Sequence, residues 1–441
     1  MKSKEQLALK ACRNLGIERL NEMQNKTIEI CNEAGDIVLL SPTGSGKTLA
    51  FLLPVLFHMQ PPRQMVQALI IVPSRELALQ IDRVLRTIAA GFKVCCCYGG
   101  HPVKEEIKSL SMAPDILVGT PGRILDHIER RNIFLENVHT VVLDEFDKCL
   151  ELGFQEQMSS ILKPLCKVKT RILTSATDSE DIPAFTGIKN PKKLNYLNIP
   201  VKEKRLSVFY VQSPEKDKLE TLLSLLQNID PGLTLIFCNQ RESVERINGF
   251  LTSKRIINEA FHGGMEQPDR ERALCKFRNQ SSFILVSTDL AARGLDIPEV
   301  KHIIHYHLPL DEETYIHRNG RTARMHADGN AYLILGSTEQ MPEYVKKDAR
   351  TITLSPTTME PAVPPMTTLH FSAGKKEKLG KGDIVGFLIQ KGGIGKEDIG
   401  SIDIKDHYSY VAINREKAHK TLKQISQEKV KGKKIKIGFA L

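Results

Sequence analysis

The sequence has no C-x-x-C pair, and its nine cysteines are odd in number, three of them adjacent at Cys95, Cys96 and Cys97. That usage fits neither zinc-ligand spacing nor a disulfide framework, and it points to a reducing compartment, the cytoplasm. No apolar run reaches the roughly 20 residues of a membrane-spanning helix. The opening stretch MKSKEQLALKACRNL interleaves charges with apolar residues, where a secretory signal would be unbroken. No membrane partner is expected. Long repeats and low-complexity tracts are also missing, so the chain reads as ordinary globular units.

What is present is a chain of 441 residues, 41% of them hydrophobic, with a net charge of +10. At that length roughly two to four folding units are expected. The charge is unevenly spread. From Thr367 to Leu441 there are 16 Lys and Arg against 8 Asp and Glu, a surplus of +8 that leaves +2 for residues 1–366. A basic excess at one end suggests a polyanionic partner.

Short apolar runs (DIVLLS, ALIIVPS, DILVGTP, TVVLDEF and TRILTSAT) alternate with amphipathic stretches through the first 180 residues. The pattern breaks near NIPVKEKR and resumes with LTLIFCNQ, FILVSTDLA, VKHIIHYHLP and NAYLIL. Strands alternating with helices predict parallel sheets covered on both faces, hence two α/β domains over residues 1–200 and 201–354. The segment 355–366, SPTTMEPAVPPM, has four prolines and reads as a linker. Residues 367–441 then follow the order β-α-β-β-α-β, which predicts a small RRM-like α+β domain. The three-cysteine run falls in an apolar strand, where free cysteine acts as a small hydrophobe.

Residues 41–48 read SPTGSGKT between the strand run IVLL and the helical run LAFLLPVLF. In that context Ser41, Pro42, Thr43, Gly44, Ser45 and Gly46 form a loop whose amides can approach phosphate oxygens. Lys47 reaches the β/γ-phosphates, and the Thr48 hydroxyl can hold Mg²⁺. A hundred residues on, a second apolar strand ends in Asp144-Glu145-Phe146-Asp147. Asp144 at its tip can hold Mg²⁺ through water, and Glu145 can orient or deprotonate an attacking water. A nucleotide and Mg²⁺ are the cofactors expected.

With Ser175-Ala176-Thr177 following in order, the chain resembles the DEAD-box branch of superfamily 2 helicases. Further motifs of that family stand at Pro73-Ser74-Arg75-Glu76-Leu77-Ala78, Gly99-Gly100, Thr120-Pro121-Gly122-Arg123, Ser287-Thr288-Asp289, Ala292-Arg293-Gly294-Leu295-Asp296 and His317-Arg318-Asn319-Gly320-Arg321-Thr322-Ala323-Arg324. The resemblance implies two RecA-like domains. It implies that Gln24 reads adenine, that Gly294 and Asp296 meet the nucleotide, and that Arg321 and Arg324 reach the γ-phosphate from the second domain. Asp147, Ser175, Thr177, His317 and Arg318 couple ATP to RNA. The sequence departs from the family at Phe146, where Ala is usual, at Asn319 and Ala323, commonly Ile and Gly, and at Leu7, often an aromatic that stacks on adenine.

The same resemblance places RNA on Pro73, Arg75, Gly100, Thr120 and Arg123 of the first domain and on Gly263 and Thr288 of the second. The tail resembles the RNA-binding domain of bacterial DbpA-type helicases, notably in GDIVGFLIQKGGIGKEDIGSIDI, YVAINREKAHKTLKQI and KGKKIKIGF. That implies 23S rRNA in pre-50S particles as partner. Lacking the aromatic RNP1 pattern, the tail is expected to meet phosphates through Arg415, Lys417, Lys420, Lys433 and Lys434. The expected activity is RNA-dependent ATP hydrolysis with local strand separation; the alternative is an ATP-gated clamp with weak or no unwinding.

Overall fold

A computed structural model describes residues 4–33, 35–42, 44–178, 182–197, 206–289, 300–322, 329–345, 349–356 and 360–440. They fall into two units, the first ending at residue 197 and the second beginning at residue 206.

In the first unit seven short strands form one parallel sheet: β1 (Asp36–Leu40), β2 (Ala68–Ile71), β3 (Val94–Cys97), β4 (Ile116–Gly119), β5 (Thr140–Leu143), β6 (Thr170–Ser175) and β7 (Lys192–Asn195). Their order is β3-β4-β2-β5-β6-β1-β7. Every residue of β1, β2, β4 and β5 is buried. Helices cover both faces, which is why these runs are continuously apolar instead of alternating. The helices are α1 (Lys4–Leu15), α2 (Glu22–Glu33), α3 (Lys47–His58), α4 (Arg75–Ile88), α5 (Val103–Leu110), α6 (Pro121–Glu129), α7 (Phe146–Glu151) and α8 (Gln155–Leu162). Helix α4 illustrates the local logic. Ser74 caps it by accepting the Leu77 amide (3.2 Å), and Leu77, Ala78, Ile81, Leu85 and Ile88 form the buried stripe. The order of the strands also positions function. At their carboxyl ends β5, β6 and β1 lie side by side and carry the phosphate-loop, DEFD and SAT motifs, while β3, β4 and β2 carry the GG, TPGR and PSRELA motifs.

The second unit repeats the design with β8 (Leu206–Gln212), β9 (Thr234–Cys238), β10 (Asn258–Phe261), β11 (Ile284–Thr288), β12 (His302–His305), β13 (Gly329–Leu335) and β14 (Arg350–Thr351). The order is β10-β11-β9-β12-β13-β8-β14, again parallel. Helices α9 (Leu219–Asn228), α10 (Arg241–Ser253), α11 (Gln267–Arg278) and α12 (Glu312–Asn319) pack around it.

The tail forms an antiparallel sheet of β15 (Met366–Phe371), β16 (Ile399–Ile404), β17 (Ser409–Asn414) and β20 (Ile437–Phe439), covered by α13 (Lys381–Gln390) and α14 (Arg415–Ile425). The expected β-α-β-β-α-β order is found. KKIKIGF, expected as one strand, is divided: Lys433–Lys434 (β19) pairs with Lys429–Val430 (β18) in a separate hairpin, and only Ile437–Phe439 joins the sheet. Tyr410 and Ala440 of this domain form a buried cluster with Cys275 of α11. Asn279 Nδ2 donates to Thr368 Oγ1 (2.9 Å), Thr368 Oγ1 to Ser281 Oγ (2.8 Å), and the Tyr408 hydroxyl to Glu271 (2.9 Å). The tail is therefore docked on α11 as part of the second unit.

Candidate nucleotide and RNA site

The phosphate loop joins β1 to the N-terminus of α3. Gly46 caps that helix at φ 90°, a left-handed conformation natural to glycine, and a Cβ there would sit 2.6 Å from Gln24 Nε2. Gln24 itself is 5% exposed and bridges the loop to the chain before it. Its amide donates to the Gly46 carbonyl (3.2 Å) while its Oε1 accepts the Asn21 amide (2.9 Å). Lys47 is buried and donates to the Ser41 carbonyl (2.6 Å), and Ser41 Oγ lies 2.6 Å from Ser45 Oγ. Pro42 and Thr48 are half-buried; Thr43 lies outside the described residues.

Asp144 and Glu145 leave β5, two strands from β1. Burial pushes the Asp144 carboxyl upward, partly offset by the hydrogen bond from Thr174 and by the charge of Lys47. Glu145 has φ 48° and ψ 52°, a left-handed conformation rare for a side-chain-bearing residue. Its amide holds that turn by donating to Asp144 Oδ1 (3.1 Å) and Thr174 Oγ1 (3.2 Å). Asp147 accepts from Thr177 Oγ1 (3.1 Å) and from the Ala176 amide (3.4 Å), so DEFD is tied to SAT within one unit. Ser175 Oγ closes that turn on the Thr177 carbonyl (2.6 Å). The fit to Mg²⁺ rests on these donors: the Thr48 hydroxyl and the buried Asp144 carboxylate are the hard oxygens this cation takes.

The other half of the edge gathers the RNA candidates. Gly100 has φ +92°, and a side chain on it would collide with the Arg75 guanidinium. Pro73 is buried at the end of β2, and Thr120 is the N-cap of α6, whose first helical residue is Pro121. Arg123, on the first turn, donates through Nη1 to Glu106 Oε2 (2.8 Å) and through Nη2 to the His101 carbonyl (3.3 Å). Motif reading missed Glu106. It is 4% exposed and also accepts from the Tyr98 amide (2.9 Å), with ring nitrogens of His101 at 3.0 Å and His127 at 2.7 Å. Burial alone would raise its pKa, yet the hydrogen bonds from His101, His127 and Tyr98 hold it down at about 2.

In the second unit Arg318 is among the largest fully buried side chains. It grips Asp289 with Nε (2.5 Å) and Nη2 (2.7 Å), reaches Asn239 Oδ1 (2.8 Å) and the His307 carbonyl (2.6 Å), and lies 5.1 Å from the Phe237 ring centroid. It thereby locks α12 to the strand end carrying Thr288 and Asp289. His317 is buried one turn from Glu313, with 3.8 Å between Nδ1 and Oε1. Arg321 is buried, its amide on the Arg318 carbonyl (3.2 Å). Gly263 is exposed just beyond β10, and Thr288 half-exposed at the end of β11. Gly294, Asp296, Ala323 and Arg324 lie outside the described residues.

In the tail, Lys420, Lys433 and Lys434 are exposed, and Lys417 pairs with Asp398 (2.6 Å). Arg415, expected on phosphate, instead donates to three main-chain carbonyls, those of Pro364 and Met366 (both 2.6 Å) and Ser281 (2.9 Å). It staples the end of the predicted linker to the second domain. Two departures from the family pattern have partners. Phe146 is 1% exposed with its ring 6.3 Å from that of Phe185, and Asn319 Oδ1 lies 3.1 Å from His305 Nε2.

Among the described residues no helix is long and apolar enough to cross a membrane. The sequence matches the DEAD/DEAH box helicase family over residues 21–185, the helicase conserved C-terminal domain over 217–326 and the DbpA RNA binding domain over 368–438. It is 32% identical to the ATP-dependent RNA helicase DbpA of Bacillus subtilis, over 98% of this chain and 97% of that one. The Escherichia coli DbpA is also 32% identical, over 96% and 95% of the two chains. Among solved structures, Saccharomyces cerevisiae Dbp5 bound to RNA and ADP BeF3 superposes with a TM-score of 0.67 at 27% identity, covering 77% of this chain and 90% of that one. Motifs, sheet order and full-length identity agree, and the chain belongs to the DEAD-box ATP-dependent RNA helicases of the DbpA type.

Proposed function

We propose that this helicase hydrolyses ATP to separate short RNA duplexes locally, acting in the cytoplasm on 23S rRNA during large-subunit assembly. The observation that carries the reading is the division of one sheet edge into a phosphate half on β1, β6 and β5 and a strand half on β2, β4 and β3. The two halves share the rigid β2–β5 pairing, Ala68 to Thr140 through Ile71 to Leu143.

Lys47 and the loop amides orient the phosphates. Thr48 and Asp144 would hold Mg²⁺, which would supply charge neutralisation to the phosphates. Glu145 takes the proton of the attacking water as its oxygen bonds to the γ-phosphorus and the bond to the β-bridging oxygen breaks. Arg321 and Arg324 offset the charge that develops, which makes turnover depend on the second domain. Arg75, Gly100, Thr120 and Arg123, with Gly263 and Thr288, hold sugar and phosphate, a sequence-blind grip. A base step in DNA is worth only about 0.6–2.2 kcal/mol of stacking, so opening a few pairs is within one ATP cycle. Exposed Lys420, Lys433 and Lys434 supply the tail's attraction to rRNA.

A strand-displacement assay on a short tailed RNA duplex, paired with ATPase stimulation by 23S rRNA fragments and unrelated RNA, tests this. Strand release and preferential stimulation by 23S fragments are expected. ATP-dependent binding without release would replace the helicase reading with a clamp.

A further inference from the structure

We infer that Glu106 is the positioning residue of the strand half of the sheet edge, acting through Arg123; this rests on the proposed RNA contact of that arginine.

The geometry is that of a hub. One oxygen of the carboxylate takes the Tyr98 amide and His101, the other takes Arg123 and His127. The carboxylate joins the loop that follows β3 and carries the GG pair, and helix α5 that continues it, to the first turns of α6 behind TPGR. His127 is 0% exposed and is itself fixed by Asn132, whose Nδ2 lies 3.0 Å from Nδ1. Arg123 spends two N–H groups on Glu106 and the His101 carbonyl, out of the five a guanidinium carries, so its fork is aimed while donors remain for a phosphate. Its side chain is 11% exposed, at the boundary between core and solvent.

The same atoms could suggest a metal, because Cys97, Glu106 and His127 offer ligand atoms within 4.8 Å of one another. The bonding argues against it. Both carboxylate oxygens are already occupied by donors, and burial pushes the Cys97 thiol far up, which keeps it protonated. An anion that accepts four donors and faces no solvent is an aligning device: it fixes the cation that meets the strand.

The test uses the full chain, an oligouridine single strand and steady-state ATPase. Glu106→Gln keeps the shape but turns an amide toward donors. It should raise the oligouridine concentration for half-maximal stimulation about tenfold, the worth of one charge-assisted hydrogen bond. Maximal rate and half-saturating ATP should stay within about twofold. Because Glu106 acts through Arg123, adding Glu106→Gln to Arg123→Gln should change little beyond Arg123→Gln alone. His127→Gln disturbs the same pocket without touching Arg123 and should lower Tm while moving half-saturating RNA by less than about twofold. If Glu106→Gln does not accumulate folded, Glu106→Asp, which keeps the charge and withdraws it by one methylene, should shift RNA half-saturation the same way. An unchanged half-saturation in Glu106→Gln beside a raised one in Arg123→Gln overturns the positioning role, as does a His127→Gln shift as large as that of Glu106→Gln, or independent multiplication of the two effects. An unchanged value in Arg123→Gln itself removes the RNA reading of this face and the inference with it.

Discussion

Each chemical residue acts through a neighbour that fixes it, and the neighbours differ in what their loss would do. In the proposed mechanism Lys47 meets phosphate as a cation, so Lys47→Ala should weaken ATP binding and abolish turnover. Glu145→Gln keeps the left-handed turn and its amide bonds but loses the base, and should abolish turnover while still retaining ATP and RNA. Full ATPase in either variant would remove that residue from the site. His305 is another such case. Burial first, then the charge of Arg318, lowers its pKa to about 3, so it stays neutral against Asn319. An unfolded histidine titrates near 6.5, so the unfolded chain binds a proton there that the folded chain refuses. Its contribution to stability is complete above about pH 7 and falls as pH drops from 6.5 toward 3. Tm profiles should show it: relative to the wild type, His305→Gln should gain stability steadily below pH 6.5 and run parallel above pH 7. The charged neighbour facing this ring is Arg318, which both proteins share; His302 and His307 are also lowered by burial and are likewise common to both. Parallel profiles throughout would mean that His305 takes up its proton in the fold at the same pH as in the unfolded chain.

At the scale of elements, the sequence departs from its family inside α7, where Phe146 stands in the position usually held by alanine. The ring is core, packed against Phe185, while Asp144 and Asp147 on either side keep the Thr174 and Thr177 hydroxyls as partners. Phe146→Ala therefore restores the common residue and should destabilise, by about 3–5 kcal/mol as for other buried Phe→Ala changes, because it opens a cavity. Denaturant unfolding reads this directly, and a gain in stability would show the ring to be strained. The elements that were legible in the sequence are those written locally. The runs DIVLL and TVVL are apolar without interruption because both sheet faces are covered, and the phosphate loop declares itself by a strand before and a helix after. What escaped depends on contacts across the chain. Glu106 looks like one more charge in VKEEIKSL until α6 brings Arg123 and His127 to it. Thr174, beneath Asp144 and Glu145, reads only as part of a strand, and KKIKIGF splits because Gly432, at φ +76°, turns the chain back into a hairpin. Arg415 was legible as a cation but not as a staple, since its three acceptors are main-chain carbonyls with no sequence signature.

For the molecule as a whole, the decisive feature is that the charge surplus sits on a domain docked to α11 and not on a free tether. Docking fixes where the basic surface lies relative to the second sheet, so the phosphate contacts proposed for the tail would be made at a set distance and direction. It also covers part of α11. Of the nine cysteines Cys166 is the exposed one, while Cys275 is 7% exposed beside Tyr410 and Ala440. Ending the chain at Pro356 retains the Ser355 amide bond to Asn228 but removes the cover from Cys275. Thiol titration of the native protein should find one fast-reacting group, and the shortened protein should show a second; Cys275→Ser in the shortened chain should abolish it. The same truncation should flatten the salt dependence of single-strand binding, by about 0.7 in log–log slope for each phosphate that the tail no longer neutralises. ATP hydrolysis stimulated by unrelated RNA should persist, because every residue of the phosphate half and the strand half is retained, whereas the preference for 23S fragments should fall. A second thiol already reactive in the full-length chain would mean that the tail leaves α11 in solution. In that case binding would follow tether behaviour, with the domain acting through local concentration on the order of millimolar, and discrimination would no longer depend on its orientation.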